Sequence, residues 1–336
     1  MEPAVEDLVG RAVALARDLQ DGDDYEAVWE VLREVAADGP ASLRAGTDLL
    51  ASSDPVARSV GCDLLGCAGD LHEAVRADAA SALLTLAPAE TDADVTWSIA
   101  QALGSTYDRR AVPVLASLAA HPDADVRLKT AQALPSMPPE EAVIGALIRL
   151  TADEDPQVRN WATFGLGSQV DADTPAVREA LRARLGDDGE DVRAEAVFGL
   201  ARRRDPRATA RVIELLEAEQ GIFSWGLEAA ACLRDPALLP YLTGYDAASP
   251  PVAAALRECD PAARRRRDDF AAALLHSVYD RSPAAGAAVF STLLETGLTL
   301  RTADAVGTRV WSVEALMERA GGDPRRAADV VTRESV

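Results

Sequence analysis

The side chains able to carry out chemistry are limited in kind. The chain has three histidines, His72, His121 and His276, four cysteines, Cys62, Cys67, Cys232 and Cys259, and 55 Asp and Glu residues against 34 Lys and Arg. Nucleophilic, dinucleotide-binding, phosphate-cradling and zinc-hydrolase sites each need a fixed spacing. None of GxSxG, GxGxxG, the P-loop or HExxH occurs. The histidines are scattered, with no Cys or Ser nearby in a recognisable pattern. No CxxC pair is present, so the spacing supports neither a zinc site nor a disulfide framework. The thiols read as small buried hydrophobes in a reducing cytoplasm. The acids recur at helix starts, where capping explains them. The sequence therefore offers no catalytic residue, no cofactor-binding residue and no metal ligand, and it points to a binding protein rather than an enzyme.

Charge narrows the partners. The formal net charge is −21 over 336 residues. From Pro261 onward there are eleven Arg against ten Asp or Glu, so residues 1–260, with 23 basic and 45 acidic residues, hold the whole negative excess. Binding to a phosphate backbone needs clustered positive charge, which argues against nucleic acid as a partner. The exception is Arg264–Arg267, followed at once by Asp268 and Asp269, which reads as a solvated helix start. The first residues lack the basic start and apolar run of a secretory signal, and no stretch approaches the ~18 apolar residues of a membrane span. The expected location is cytoplasmic, with no membrane contact. Aromatics are 4% and hydrophobic residues 48%, so the core must be built from Ala, Leu and Val.

The elements that position these residues repeat. With Arg127 as reference, equivalent points fall at Arg58, Thr96, Arg159 and Arg193. Seven residues after each lies a leucine: Leu65, Leu103, Leu134, Leu166 and Leu200. Four residues before lies Asp54, Asp92, Asp123 or Asp155, with Gly189 in the fifth copy. Twelve before lies Leu84, Leu115, Leu147 or Leu181. A weaker sixth copy ends at Leu233, a degenerate seventh covers about 235–258, and from Pro261 the pattern stops. Each unit reads as two apolar-striped helices joined by an acidic turn, with Asp as N-cap and Pro55 and Pro156 at the first helical position. The recurrent arginines read as staples between turns. No β-period segment is evident, and 262–280, 283–297 and 302–320 read as helices.

The run Asp-x-Asp-Val-Arg-x-x-x-Ala-x-x-Leu, at a pitch near 32 residues, resembles the short bacterial HEAT repeat, the HEAT-like type also named after phycobilisome lyases. The resemblance covers about residues 45–245. It implies an all-α fold, a right-handed α-solenoid of helical hairpins with helical caps. The expected organisation is an N-terminal helical cap over 1–44, repeats over 45–258 and a C-terminal helical cap over 259–336. Asp23–Asp38 reads as a cap helix with Tyr25, Val28, Trp29, Val31, Leu32 and Val35 largely on one side.

In solenoids of this type the second helices line the concave surface. Opposite the core stripe, the position five after the reference point reads Gln101, Gln132, Phe164 and Phe198; positions one and two add Trp97, Asn160 and Trp161. These seven residues are the candidate partner-binding set, unless the rings fill gaps between neighbouring helices. Trp225 falls at a core-like position. An acidic face carrying aromatics suits a protein partner or a basic peptide. The alternatives that the resemblance brings are a bilin-lyase-like protein, which would need a tetrapyrrole pocket, and a DNA-repair protein like the HEAT-like alkylpurine glycosylases, which would need a basic concave face.

Overall fold

The computed structural model describes residues 4–19, 25–217, 223–283, 286–291, 297–304 and 307–333. It divides into two compact units, Met1–Glu195 and Ala196–Val336. Helical hairpins dominate both. The second helices of successive repeats are Pro55–Leu71, Ala93–Thr106, Ala124–Ala133, Pro156–Phe164, Glu190–Arg202 and Phe223–Leu233. The first helices are Gly39–Leu50, Arg76–Leu86, Val112–Leu118, Glu141–Leu150, Pro175–Arg184 and Thr209–Glu217.

The repeat positions act as their spacing predicts. Asp92, Asp123 and Asp155 each accept hydrogen bonds from the two backbone N–H groups at the helix start, and Asp54 accepts one. Leu65, Leu103, Leu134, Leu166 and Leu200 are all fully buried. So are Leu115, Leu147 and Leu181 on the first helices. In the remaining unit Leu83 is buried and Leu84 only partly, a slip of one residue around that helix. Small side chains bring the second helices close together. A Cβ on Gly66 would sit 3.0 Å from the Ala102 Cα, and one on Gly104 would sit 2.9 Å from the Ala133 Cβ. This use of backbone as packing surface is how a core with few aromatics is filled.

The arginine positions form the expected seam. Arg58 spans Glu90 through two hydrogen bonds of 2.7 and 3.0 Å; Arg127 does the same with Asp153 and Arg159 with Asp187. Each also donates Nη1 to a carbonyl of its own turn six residues back, as does Arg193. In the odd copy, Thr96 closes onto the Asp92 carbonyl.

At the amino-terminal side, the helices Val5–Asp18 and Glu26–Ala36 bury Leu8, Val9, Val13, Val28, Val31, Leu32 and Val35 against Val60 and Leu64. Tyr25 and Trp29 are only partly buried. Asp23, the expected helix start, lies outside the described residues.

The carboxyl-terminal part departs from expectation in two ways. First, the capped turn recurs beyond the sequence repeat: Asp260 caps Ala262, and Arg264 reaches the Glu258 carbonyl six residues back. Second, only Pro261–Arg281 of the three expected helices is helical throughout its described length. The 283–297 segment, partly outside the described residues, contains strand β1 (Ala288–Phe290). The 302–320 segment begins in β2 (Thr299–Asp304), continues through β3 (Gly307–Ser312) and is helical only over Val313–Arg319. The three strands form an antiparallel sheet in the order β1-β2-β3, pairing Val289 with Leu300 and Leu300 with Trp311. β-Branched and aromatic residues, Thr299, Thr302, Thr308, Val310 and Trp311, favour the pleated surface over a helix. Leu300 lies in a core with Phe270, Leu274, Val278, Leu316 and Val331.

Candidate functional site

Trp97 points the way to a cavity. It projects from the second turn of Ala93–Thr106, one residue past the repeat reference point, and is partly buried. The cavity beside it has a volume of about 410 Å³. Its walls come from three successive second helices and the two helices that precede the repeats. Tyr25, Trp29, Trp97, Ser98 and Asp63 line it, and Asp92, Asp94 and Asp125 add carboxylates.

Asp63 is the chemically unusual member. It is 2% exposed. Its Oδ2 accepts a 3.0 Å hydrogen bond from the Tyr25 hydroxyl, and its Oδ1 has no hydrogen-bond partner. Burial pushes the carboxyl up to about 7, against the milder opposing pull of the Tyr25 and Ser98 hydroxyls and of Lys129. Burial and the neighbouring carboxylate likewise raise the Tyr25 phenol. Lys129, the only lysine in the chain, holds its ammonium 4.3 Å above the Trp97 ring, a cation–π contact. Burial lowers its pKa.

The other expected site residues separate into smaller groups. Gln101 and Gln132 are partly buried and do not line this cavity. Asn160 is partly buried, with an unpaired Oδ1. Trp161 is 37% exposed and meets the partly buried Phe164 edge-on, with ring centres 5.8 Å apart. Just beyond Phe164 the helix opens into a single π-helical turn, Gly165–Gln169. Phe198 is partly buried against Trp225 at 6.2 Å. Trp225 itself is 43% exposed, contrary to its expected core position. Gly226 explains this: its Cα face lies against Leu215, where a Cβ would come within 3.3 Å of backbone, so the helix packs through glycine and Leu227 and turns the indole outward.

The Arg264–Arg267 run is not one solvated cluster. Arg265 and Arg266 are exposed, Arg264 closes its turn, and Arg267 is buried in an ion pair with the fully buried Glu258. Cys62, Cys232 and Cys259 are buried free thiols and Cys67 is partly buried. Burial pushes Cys67 and Cys259 up to about 12 and Cys232 to about 11, leaving them poor nucleophiles. No helix among the described residues is long and apolar enough to cross a membrane.

The repeated hairpins with their capped acidic turns match HEAT repeats over residues 45–135, 117–193 and 144–231. The chain belongs to the HEAT-repeat family. Among individual HEAT-repeat relatives, protein YibA of Escherichia coli (strain K12) is 36% identical over 118 residues, 35% of this chain and 41% of YibA. The chain thus spans about two fifths of the length of the curated relatives it matches. The crystal structure of the E. coli YibA protein superposes with a TM-score of 0.59 at 22% identity, covering 77% of this chain and 97% of that one, a likeness of fold. The complex of CpcE and CpcF of phycocyanin lyase from Nostoc sp. PCC7120 superposes with a TM-score of 0.42 at 18% identity, over 65% of this chain and 86% of that one.

Within the HEAT-repeat register, Asp63 occupies position five of the first copy, five residues after Arg58. Sequence alone does not single out this copy, because an Asp on a helix face is ordinarily solvated. The two preceding helices bury it.

A pH effect follows. In the unfolded chain Asp63 ionises near its ordinary value of 3.8, whereas the folded protein holds the proton until about pH 7. Between these values the folded state binds more protons, so this group's contribution to stability falls as pH rises through that window and levels off above it. Glu195, buried beside Ser168 and likewise raised to about 7, acts in the same direction. Asp63→Asn should therefore be more stable than the native protein at pH 8, by on the order of 2 kcal/mol, and near equal at pH 4. Urea unfolding at the two pH values measures the difference. A constant offset across the range would contradict it.

Proposed function

We propose that this HEAT-repeat protein is a non-catalytic, cytoplasmic interaction scaffold that binds a protein or a basic peptide on the acidic face of its second helices. Residues 1–44 and 259–336 serve as caps on the repeats of 45–258. The observation that carries this reading is Trp161, exposed and edge-on to Phe164 on the position-five face, within a segment whose charge is strongly negative. Exposed rings act as interface anchors, and a field of carboxylates draws in a partner of opposite sign.

The test is titration with an Arg- and Lys-rich peptide and an acidic peptide of equal length, followed by anisotropy. The basic peptide should bind, and more weakly as salt rises. Trp161→Ala and Phe164→Ala should weaken it about tenfold or more while shifting the melting temperature little. If these rings instead fill the core, each truncation costs on the order of 3–5 kcal/mol of stability and the site assignment falls. Tight duplex-DNA binding that weakens steeply with salt would overturn the reading.

A further inference from the structure

We propose that the cavity walled by Trp29, Trp97 and Asp63 is a receptor for one organic cation, an alkylammonium or guanidinium head group. The proposal rests on the reading of the acidic face as a surface for basic partners, and adds the place where a single cationic group docks.

Three observations converge. The first is the unpaired oxygen. Asp63 is 2% exposed, lines the cavity, accepts from the Tyr25 hydroxyl at Oδ2 and has no hydrogen-bond partner at Oδ1. A buried carboxylate oxygen without a donor is costly, and an N–H from a bound cation removes that cost. Lys129 stands over the Trp97 ring and forms no ion pair with Asp63 among the described residues. The second is the wall material. Trp29 and Trp97 line it, and the Trp97 ring already carries an ammonium at 4.3 Å, so its surroundings suit a cation. The third is the rim. Asp92, Asp94 and Asp125 give it a negative potential that repels anions. Among the described residues no three such groups converge to hold a metal ion, and the aromatic walls favour a cation of diffuse charge. A volume of about 410 Å³ admits the head group with part of its stem.

The experiment uses the full chain at pH 8 and follows tryptophan fluorescence and calorimetry. The probes are n-butylammonium, putrescine, N-acetyl-lysine amide and N-acetyl-arginine amide, with N-acetyl-norleucine amide as the neutral control. The cations should bind and the control should not. Asp63→Asn, checked by its melting curve to be folded, should lose about 10- to 100-fold in affinity, the loss of one charge-assisted hydrogen bond. Ser59→Leu, which fills the cavity from a partly exposed wall residue, should lose binding as well. Equal binding of free amines and side-chain amides identifies a small-molecule cation; binding of the amides alone identifies a partner's side chain. Both support the receptor. Unchanged affinity in Asp63→Asn, or no cation binding by the native protein, overturns it. A basic peptide that binds native and Asp63→Asn protein alike, but fails on Trp161→Ala, overturns this proposal and leaves the partner-face reading standing.

Discussion

Glu258→Ala is expected to destabilise the unit that holds it by about 3–5 kcal/mol. Glu258 ends the helix Pro250–Cys259 and is fully buried. Its Oε1 receives Arg267 from the next helix, and its Oε2 lies 3.1 Å from the Arg234 Nε. Arg267 is 2% exposed, the largest fully buried side chain among the described residues. Its other acids are Asp268, which is largely solvated, and Glu314 at 3.5 Å. Truncating Glu258 leaves a buried guanidinium with too little opposite charge, and water cannot replace the lost carboxylate. Burying such a pair is not in itself a large gain, because desolvation offsets the attraction. The double variant Glu258→Leu with Arg267→Met should therefore recover most of the loss. Urea unfolding of the three proteins measures both effects; a loss below about 1 kcal/mol in Glu258→Ala would show that the pair contributes no more than a surface bridge.

Arg127→Ala should cost about 2–4 kcal/mol, less than Glu258 because the turn is closer to solvent. Arg127 donates Nε and Nη2 to Asp153 at 2.8 and 2.9 Å and Nη1 to the carbonyls of His121 and Pro122 at 3.0 Å. Asp153 also accepts from the backbone of Asp155, which in turn caps the next helix. One guanidinium thus fixes two turns. The pairing holds the Asp153 carboxyl below its ordinary range, despite desolvation. Arg127→Lys keeps the charge but not the fork, so an intermediate loss is expected. An exposed staple such as Arg109 with Glu140, both well solvated, should give a change near zero on the same assay.

The repeat itself was legible because each unit states the same rule. Asp at the cap, Arg four residues on and Leu seven later are local signals, reinforced by recurrence, and all three positions do in the fold what their chemistry suggests. Positions whose role is set by a neighbour were not legible. Asp63 looks like any solvated carboxylate until the helices before it close over the carboxyl. Trp225 was assigned inward by register, but a glycine one residue later rotates the helix. Arg267 is indistinguishable in sequence from Arg265 and Arg266, and only Glu258 on the preceding helix separates them. The sheet was missed because Ala, Leu, Glu and Met around Val313–Arg319 suggest a long helix, while the alternation of Leu300 and Thr302 inward with Arg301 and Ala303 outward spans few residues. Of the face proposed for partners, the Trp161–Phe164 pair follows from spacing alone; the contact of Phe198 with Trp225 and the cavity beside Trp97 do not.

The bridges between turns have a consequence for how such a chain changes length. The Arg58, Arg127 and Arg159 guanidiniums each need only their own turn and an acid in the turn that follows, whereas the copy with Thr96 carries no such bridge. Duplicating the period from Asp123 to Glu154 sets an arginine against an equivalent carboxylate and breaks no bridge. A cut elsewhere within the period strands one.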